Sequence, residues 1–286
     1  MTIRYRTAVV DGLNVFYREA GDPSAPTLVL LHGFPTSSVV YQELIAELQD
    51  EFHLIAPDYP GYGHSDAPST AEWDYTFDNL AGIVDRLLES IGADRYALFV
   101  HDYGAPVGFR LALRHPERVT GIVSQNGNAY DEGFTRFWGS IKAYWADPSK
   151  ENRDGLRGLL TREATEWQYT HGVPDTSLVN PDLAAFDQAL LDRPGNAEIQ
   201  LDLFLDYGTN PGRYPQWQEY LRNHQPPVLA VWGRNDDIFG PDGARAFTRD
   251  VKDARVHVLD AGHFPWTTRL GQSAALIRDF LRGLSD

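Results

Sequence analysis

Cysteine is absent from the chain, which removes disulfides, a thiolate nucleophile and cysteine-ligated zinc or iron–sulfur centres. Positive charge is scarce: 25 Lys and Arg face 40 Asp and Glu, a net charge of −15. A surface of that sign repels phosphate backbones and anionic lipid, so neither nucleic acid nor a membrane surface is an expected partner. Long apolar runs are missing too, and none approaches the roughly 18–20 residues that a membrane helix needs. The opening Met1-Thr2-Ile3-Arg4-Tyr5-Arg6 alternates instead of entering an apolar stretch. No secretory leader is therefore expected, and a cytoplasmic location is. Repeats and low-complexity segments are also lacking. What remains is ordinary for a folded chain: 286 residues, 42% hydrophobic and 23% charged, enough for one large domain or two small ones.

Short β-rich runs alternate with helical patterns through the first third. Ile3–Val10 and Leu13–Arg18 flank Asp11-Gly12, a hairpin signal. Buried strands are expected at Pro26–Leu31, Phe52–Ala56, Tyr96–Val100 and Val119–Ser124, where apolar residues run without a break. Helical spacing marks Val40–Leu48, Phe77–Ile91 with Gly92 as its stop, and Gly104–Arg114 before Pro116. Strand, helix, strand, helix in this order predicts an α/β fold: a mostly parallel sheet flanked by helices on both faces. From about Gly127 to Trp217 the β-runs disappear and aromatics crowd in, four of the seven tryptophans among them. The alternation resumes at Pro227–Trp232, near Pro241–Asp250, at Arg255–Leu259 and over Gln272–Leu284. Residues 1–126 and 218–286 thus form the expected core. Residues 127–217 form a helical cap inserted after the sixth strand.

The strongest chemical signal is Val100-His101-Asp102-Tyr103-Gly104, set between a buried strand and a helix. A sharp strand-to-helix turn with small neighbours lifts its central side chain above the sheet, the nucleophile-elbow geometry, here with Asp at its apex. The helix that follows favours a carboxylate or an oxyanion at its N-terminus. Two further strand ends carry Gly233-Arg234-Asn235-Asp236-Asp237 and Asp260-Ala261-Gly262-His263-Phe264. In a parallel sheet they arrive at the same carboxyl edge as Asp102. That makes Asp102 the candidate nucleophile, His263 the candidate base and Asp236 the acid that orients it, with Asp237 as the rival for the last role. In Leu31-His32-Gly33-Phe34-Pro35, Gly33 permits an unusual backbone, and Pro35 fixes its own φ and admits a cis peptide. The N–H groups of Phe34 and Tyr103 would form an oxyanion hole. Gly61-Tyr62-Gly63 looks like part of a phosphate loop but lacks the helix and the further glycine, so a dinucleotide role is set aside.

Taken together, His32–Pro35, Pro60–Asp66, His101–Gly104, Trp232–Asp236 and Ala261–Phe264 resemble the motifs of the α/β-hydrolase superfamily. The branch they resemble is the aspartate-nucleophile group of epoxide hydrolases and haloalkane dehalogenases. The resemblance implies no cofactor and no metal. It implies a small, mainly apolar organic substrate and hydrolysis through an Asp102 alkyl ester. Tyr103 stands where that branch usually carries Trp, and Phe34 stands where dehalogenases often carry Asn. The chain therefore lacks the usual halide donors, and an epoxide is the expected substrate, with a haloalkane or haloacid as the alternative. Relatives that open epoxides use cap tyrosines as proton donors, which implies Tyr144 and Tyr207 here, with Tyr169 and Tyr214 in reserve. The cap tryptophans are expected as pocket walls. A ligand receptor without catalysis is the alternative of another class, and the chain is expected as a monomer or a homodimer.

Overall fold

The computed structural model describes residues 2–284; Met1, Ser285 and Asp286, the ends of the two expected core segments, lie outside them. Eight strands form one sheet: β1 (Arg4–Val10), β2 (Leu13–Ala20), β3 (Thr27–Leu31), β4 (His53–Pro57), β5 (Tyr96–Val100), β6 (Val119–Gln125), β7 (Val228–Gly233) and β8 (Arg255–Leu259). Their order is β1-β2-β4-β3-β5-β6-β7-β8. The β1–β2 hairpin turns on Asp11 and Gly12, both at positive φ, 49° and 82°, as a two-residue hairpin requires. Its second strand pairs antiparallel with β4, and every later pair is parallel.

Alternation along the buried strands divides the core in two. Val29, Leu31, Leu98 and Val100 belong to the cluster on one face; Leu28, Leu30, Ala97 and Phe99 belong to the cluster on the other. The core helices are α1 (Gln42–Leu48), α2 (Phe77–Ser90) and α3 (Gly104–Arg114). Between β6 and β7 come α4 (Gly139–Ala146), α5 (Lys150–Gly155), α6 (Arg162–Thr170), α7 (Pro181–Leu191), α8 (Asn196–Asp206) and α9 (Tyr214–His224). The chain closes through α10 (Asp242–Asp250), α11 (Pro265–Thr268) and α12 (Leu270–Arg282). The expected boundary at 217/218 falls inside α9, whose Trp217 stacks on Phe109 of α3, with ring centroids 5.1 Å apart. That helix is thus half cap in sequence and core-bound in packing.

Chain order reverses beside β3, because β4 lies on one side of it and β5 on the other. A crevice opens at the carboxyl ends of strands at such a switch point. The segments that leave β3 and β5 there carry Phe34 and Asp102.

Candidate active site

Asp102 sits at the turn between β5 and α3 with φ 49°, a left-handed backbone that a non-glycine residue holds only when its surroundings enforce it. Two glycines make room for it. A Cβ on Gly33 would stand 2.3 Å from the Asp102 side chain, and one on Gly104 would stand 2.1 Å from the Leu31 carbonyl oxygen. The tight turn delivers the carboxylate to its donors: Phe34 N–H and Tyr103 N–H both donate to Asp102 Oδ1, at 2.8 and 2.7 Å. The Phe34–Pro35 peptide is cis.

His263 follows β8 and faces this carboxylate, its Nε2 3.8 Å from Asp102 Oδ2. That nitrogen is buried and has no hydrogen-bond partner. Nδ1 lies 2.8 Å from Asp236 Oδ2, so the proton belongs on Nδ1 and the free lone pair on Nε2. Asp236 is itself held from two sides. Asn126 Nδ2 donates to Oδ2 at 2.6 Å, and Ile238 N–H donates to Oδ1 at 2.7 Å. Asn126 was not singled out in the sequence. It ends β6 at φ 51° and its Oδ1 accepts from Gly233 N–H at 3.1 Å, tying two strand ends together under the acid. The only sequence signal for it is an Asn-Gly pair closing an apolar run, the residue type that tolerates a left-handed backbone. Asp237 points elsewhere: its carboxylate meets His171 Nε2 at 2.8 Å and is half exposed.

Burial pushes the Asp102 carboxyl up to about 6, against the pull of His263 and the two N–H donors. Burial also opposes charge on His263, but the charge and hydrogen bond of Asp236, joined by Asp102, outweigh it and hold the imidazole above its ordinary value. His101, packed on His263 with ring centroids 4.6 Å apart, is pushed well down, first by burial and then by His263.

A narrow cavity of about 20 Å³ opens in front of Asp102. Its walls are Phe34, Tyr103, Phe137, Trp138, Ile141, Leu159, Gln168, Phe204 and Ile238. A larger groove lined by Tyr75, Trp145, Asp202 and Asp206 shares none of these residues. Of the cap tryptophans only Trp138 is a wall of the cavity; its Nε1 is committed to the Ile238 carbonyl at 2.8 Å.

The expected proton donors are placed differently from the sequence reading. The Tyr144 hydroxyl accepts from Arg153 at 2.9 Å, a guanidinium that also binds Glu198 and Asp202, and Tyr144 does not line the cavity. The Tyr169 hydroxyl donates to buried Asp187 at 2.6 Å. The Tyr214 hydroxyl accepts from Asn128 at 3.2 Å. Tyr207 is no wall of the cavity either; its buried hydroxyl has no close partner and faces only the Tyr214 hydroxyl. Its ring lies behind two walls, 4.7 Å from Trp138 and 5.7 Å from Tyr103 by centroids. Pro60–Asp66 serves to hold the cap: the Gly61 carbonyl accepts from Asn196 Nδ2 and Arg193, at 2.8 and 3.3 Å.

Among the described residues no helix is long and apolar enough to cross a membrane. Residues 26–268 match the sequence model of the alpha/beta hydrolase fold. A protein of Saccharomyces cerevisiae, named an uncharacterized hydrolase, is 43% identical over 270 residues, 93% of this chain and 92% of its own length. A haloalkane dehalogenase of Mycolicibacterium paratuberculosis is 38% identical over 236 residues, 80% of this chain and 73% of its own. The solved epoxide hydrolase VrEH1 of Vigna radiata superposes with a TM-score of 0.77 over 98% of each chain at 22% identity, a likeness of fold. The chain belongs to the alpha/beta hydrolase fold family and is an enzyme of that family.

Proposed function

We propose that the protein hydrolyses a small, neutral epoxide to a vicinal diol through an alkyl ester on Asp102. The observation that carries this reading is the split role of the Asp102 carboxylate. Oδ1 is fixed by two backbone N–H groups while Oδ2 faces a histidine whose Nε2 is free. An aspartate so placed is ionised at neutral pH without help from a base and can displace at a saturated carbon. Oδ2 attacks one epoxide carbon, the carbon–oxygen bond breaks, and Oδ1 becomes the ester carbonyl. His263 then takes a proton from water, and the hydroxide adds to the Asp102 carboxyl carbon. The Phe34 and Tyr103 N–H groups stabilise the oxyanion that forms on Oδ1. Collapse expels the diol oxygen, which takes the proton back from the imidazolium, and the carboxylic acid left on Asp102 returns its proton to the group that protonated the epoxide oxygen.

The epoxide oxygen also needs a proton in the first step. Of the four cap tyrosines weighed, Tyr207 is the one with no charged or amide partner, its phenol meeting only that of Tyr214, and it is the donor in this reading, through the Tyr103–Trp138 side of the cavity. Burial, then Tyr214 and the Asp102 charge hold its pKa well above that of a free phenol. The Asp102 contribution disappears as the carboxylate becomes a neutral ester, so the phenol gains acidity as the alkoxide forms. Neither lysine nor arginine lines the cavity, so an anionic haloacid finds no counter-charge there. A haloalkane is the second reading, favoured by the name of the mycobacterial relative and by the chemistry of halide, which leaves as a stable anion.

Two measurements test these assignments. Tyr207→Phe is expected to lower diol formation by roughly 10²–10⁴-fold, the range for a lost general acid, and Tyr144→Phe to leave it within about threefold, since that hydroxyl serves Arg153. Steady bromide release from 1,2-dibromoethane that ignores Tyr207→Phe, with no diol from any epoxide tried, moves the assignment to the haloalkane. Asp236→Asn is expected to cost on the order of 10⁴-fold in turnover, as when the acid of a triad becomes an amide. Asp237→Asn should stay near the parent rate; the reverse pattern reassigns the acid.

A further inference from the structure

Two polar side chains in the cavity wall, the Tyr103 hydroxyl and the Gln168 amide, take no part in the steps above. Gln168, on α6, is 5% exposed and borders the same cavity as Asp102. Its neighbours on the buried face of α6 are satisfied: Thr165 Oγ1 donates to Gln188 Oε1 at 2.7 Å and the Tyr169 hydroxyl to Asp187 at 2.6 Å. Trp167 stacks on Phe137 at 5.8 Å between centroids, so the helix is pinned on both sides of position 168. Against that background the Gln168 amide is left without a hydrogen bond among the described residues and its polar atoms are not fully enclosed, so the amide is open to the cavity that it borders. Apart from the Asp102 carboxylate, the one other free polar side-chain atom in the wall is the Tyr103 hydroxyl, itself buried without a partner. The Trp138 indole N–H is spent on Ile238, and Phe34, Phe137, Ile141, Leu159 and Phe204 carry no polar side-chain atom.

We infer that Gln168 is a specificity-determining residue, holding a neutral group on the substrate that both donates and accepts, a hydroxyl or a carboxamide next to the electrophilic carbon. The inference rests on the covalent reading above and narrows its substrate class. An amide presents an N–H donor and a carbonyl acceptor side by side. A bare epoxide oxygen or a halide engages only the donor. A hydroxyl engages both, and a site with buried polar groups rejects the analogue that leaves them unpaired. A charged substrate group is disfavoured for the reason given for haloacids, and the narrowness of the cavity favours a small molecule.

The test compares near-isosteric pairs in which a hydroxyl replaces a methyl: glycidol against 1,2-epoxybutane, and 2-bromoethanol against 1-bromopropane. For the parent enzyme the ratio of kcat/KM is expected to favour the hydroxyl member by roughly tenfold or more, the scale of one or two hydrogen bonds. In Gln168→Met, which keeps volume, and in Gln168→Leu, the ratio should fall to about one or invert, with the methyl member turned over at least as fast as before. A structural role would slow both members alike and leave the ratio standing, which overturns the inference. The same pairs are run as adduct formation on Asp102 in His263→Gln. If the epoxides give no adduct but the bromides do, the epoxide reading falls and the Gln168 inference is read from the bromide ratio. If neither pair gives an adduct, both fall.

Discussion

Asp102→Ala is expected to fold as the parent does and to lose roughly 10⁴–10⁶-fold in turnover, the scale on which a covalent nucleophile is missed. The folding half of that expectation follows from the electrostatics of the site. Burial raises the carboxyl to about 6, so near pH 7 the folded state holds an ion that it disfavours relative to the unfolded chain, where the group titrates near 4. For an acid raised in this way, stability is fullest below the unfolded pKa and declines as pH rises through the folded value. Removing the carboxyl removes that penalty, and the melting temperature at pH 7 should stay level or rise, measured by calorimetry. The same shift sets the acid limb of activity: kcat/KM falls as pH drops below about 6, because the protonated carboxyl cannot attack. Isotope labelling reads the chemistry directly. In a single turnover in ¹⁸O-water the label should enter the Asp102 side chain and reach product only in a later turnover. Label in the first product means that water attacks the substrate itself, and the covalent route is then wrong.

The parts of this site that the sequence discloses share one property: each is local to a strand end. An unbroken apolar run followed by Gly, Asp or His marks a buried parallel strand and the first residues beyond it, and that pattern alone brings Asp102, Asp236 and His263 to one edge of the sheet. Phe34 and Tyr103 come with it, because their N–H groups belong to the turns themselves. The cap behaves otherwise. Its helices sit between β6 and β7 on top of the sheet, so which face looks inward is decided by long-range pairs that no window of sequence contains. Tyr144 lies one turn beyond Ile141, a wall of the cavity, yet its hydroxyl is drawn to Arg153 by a cluster that α8 completes with Glu198 and Asp202. Gln168 carries no motif or spacing signal in the sequence, and it is buried together with Thr165 and Tyr169. Asn126 escapes for the same reason, since its partners Asp236 and Gly233 belong to a strand end more than a hundred residues away. The 217/218 boundary slipped because aromatic density ends near Trp217 while the helix that carries it runs on to His224.

His263→Gln is the substitution that should separate the two chemical steps. On the proposed route Asp102 acts without the histidine in the first step, so the ester should still form at a rate near that of the parent. In the second step water must lose a proton, and glutamine cannot take it, so turnover falls by roughly 10²–10⁴-fold or more and the ester accumulates. A mass increase equal to the added substrate, confined to the peptide that contains Asp102, is the expected signature. The geometry gives a further reason for the base to act only at this stage. While Asp102 is ionised, its charge is one of the influences that hold His263 above its ordinary value. Once Asp102 is esterified that charge is gone, the burial of the imidazole weighs more heavily, and its pKa shifts down next to the carbonyl that water must reach. Hydrolysis of the ester should therefore titrate at a lower pH than His263 does in the free enzyme, a difference measurable by comparing the pH profile of single-turnover decay of the parent's ester with the NMR titration of the resting imidazole. Loss of activity in His263→Gln with no adduct at any substrate concentration would place His263 in the first step and reverse this order.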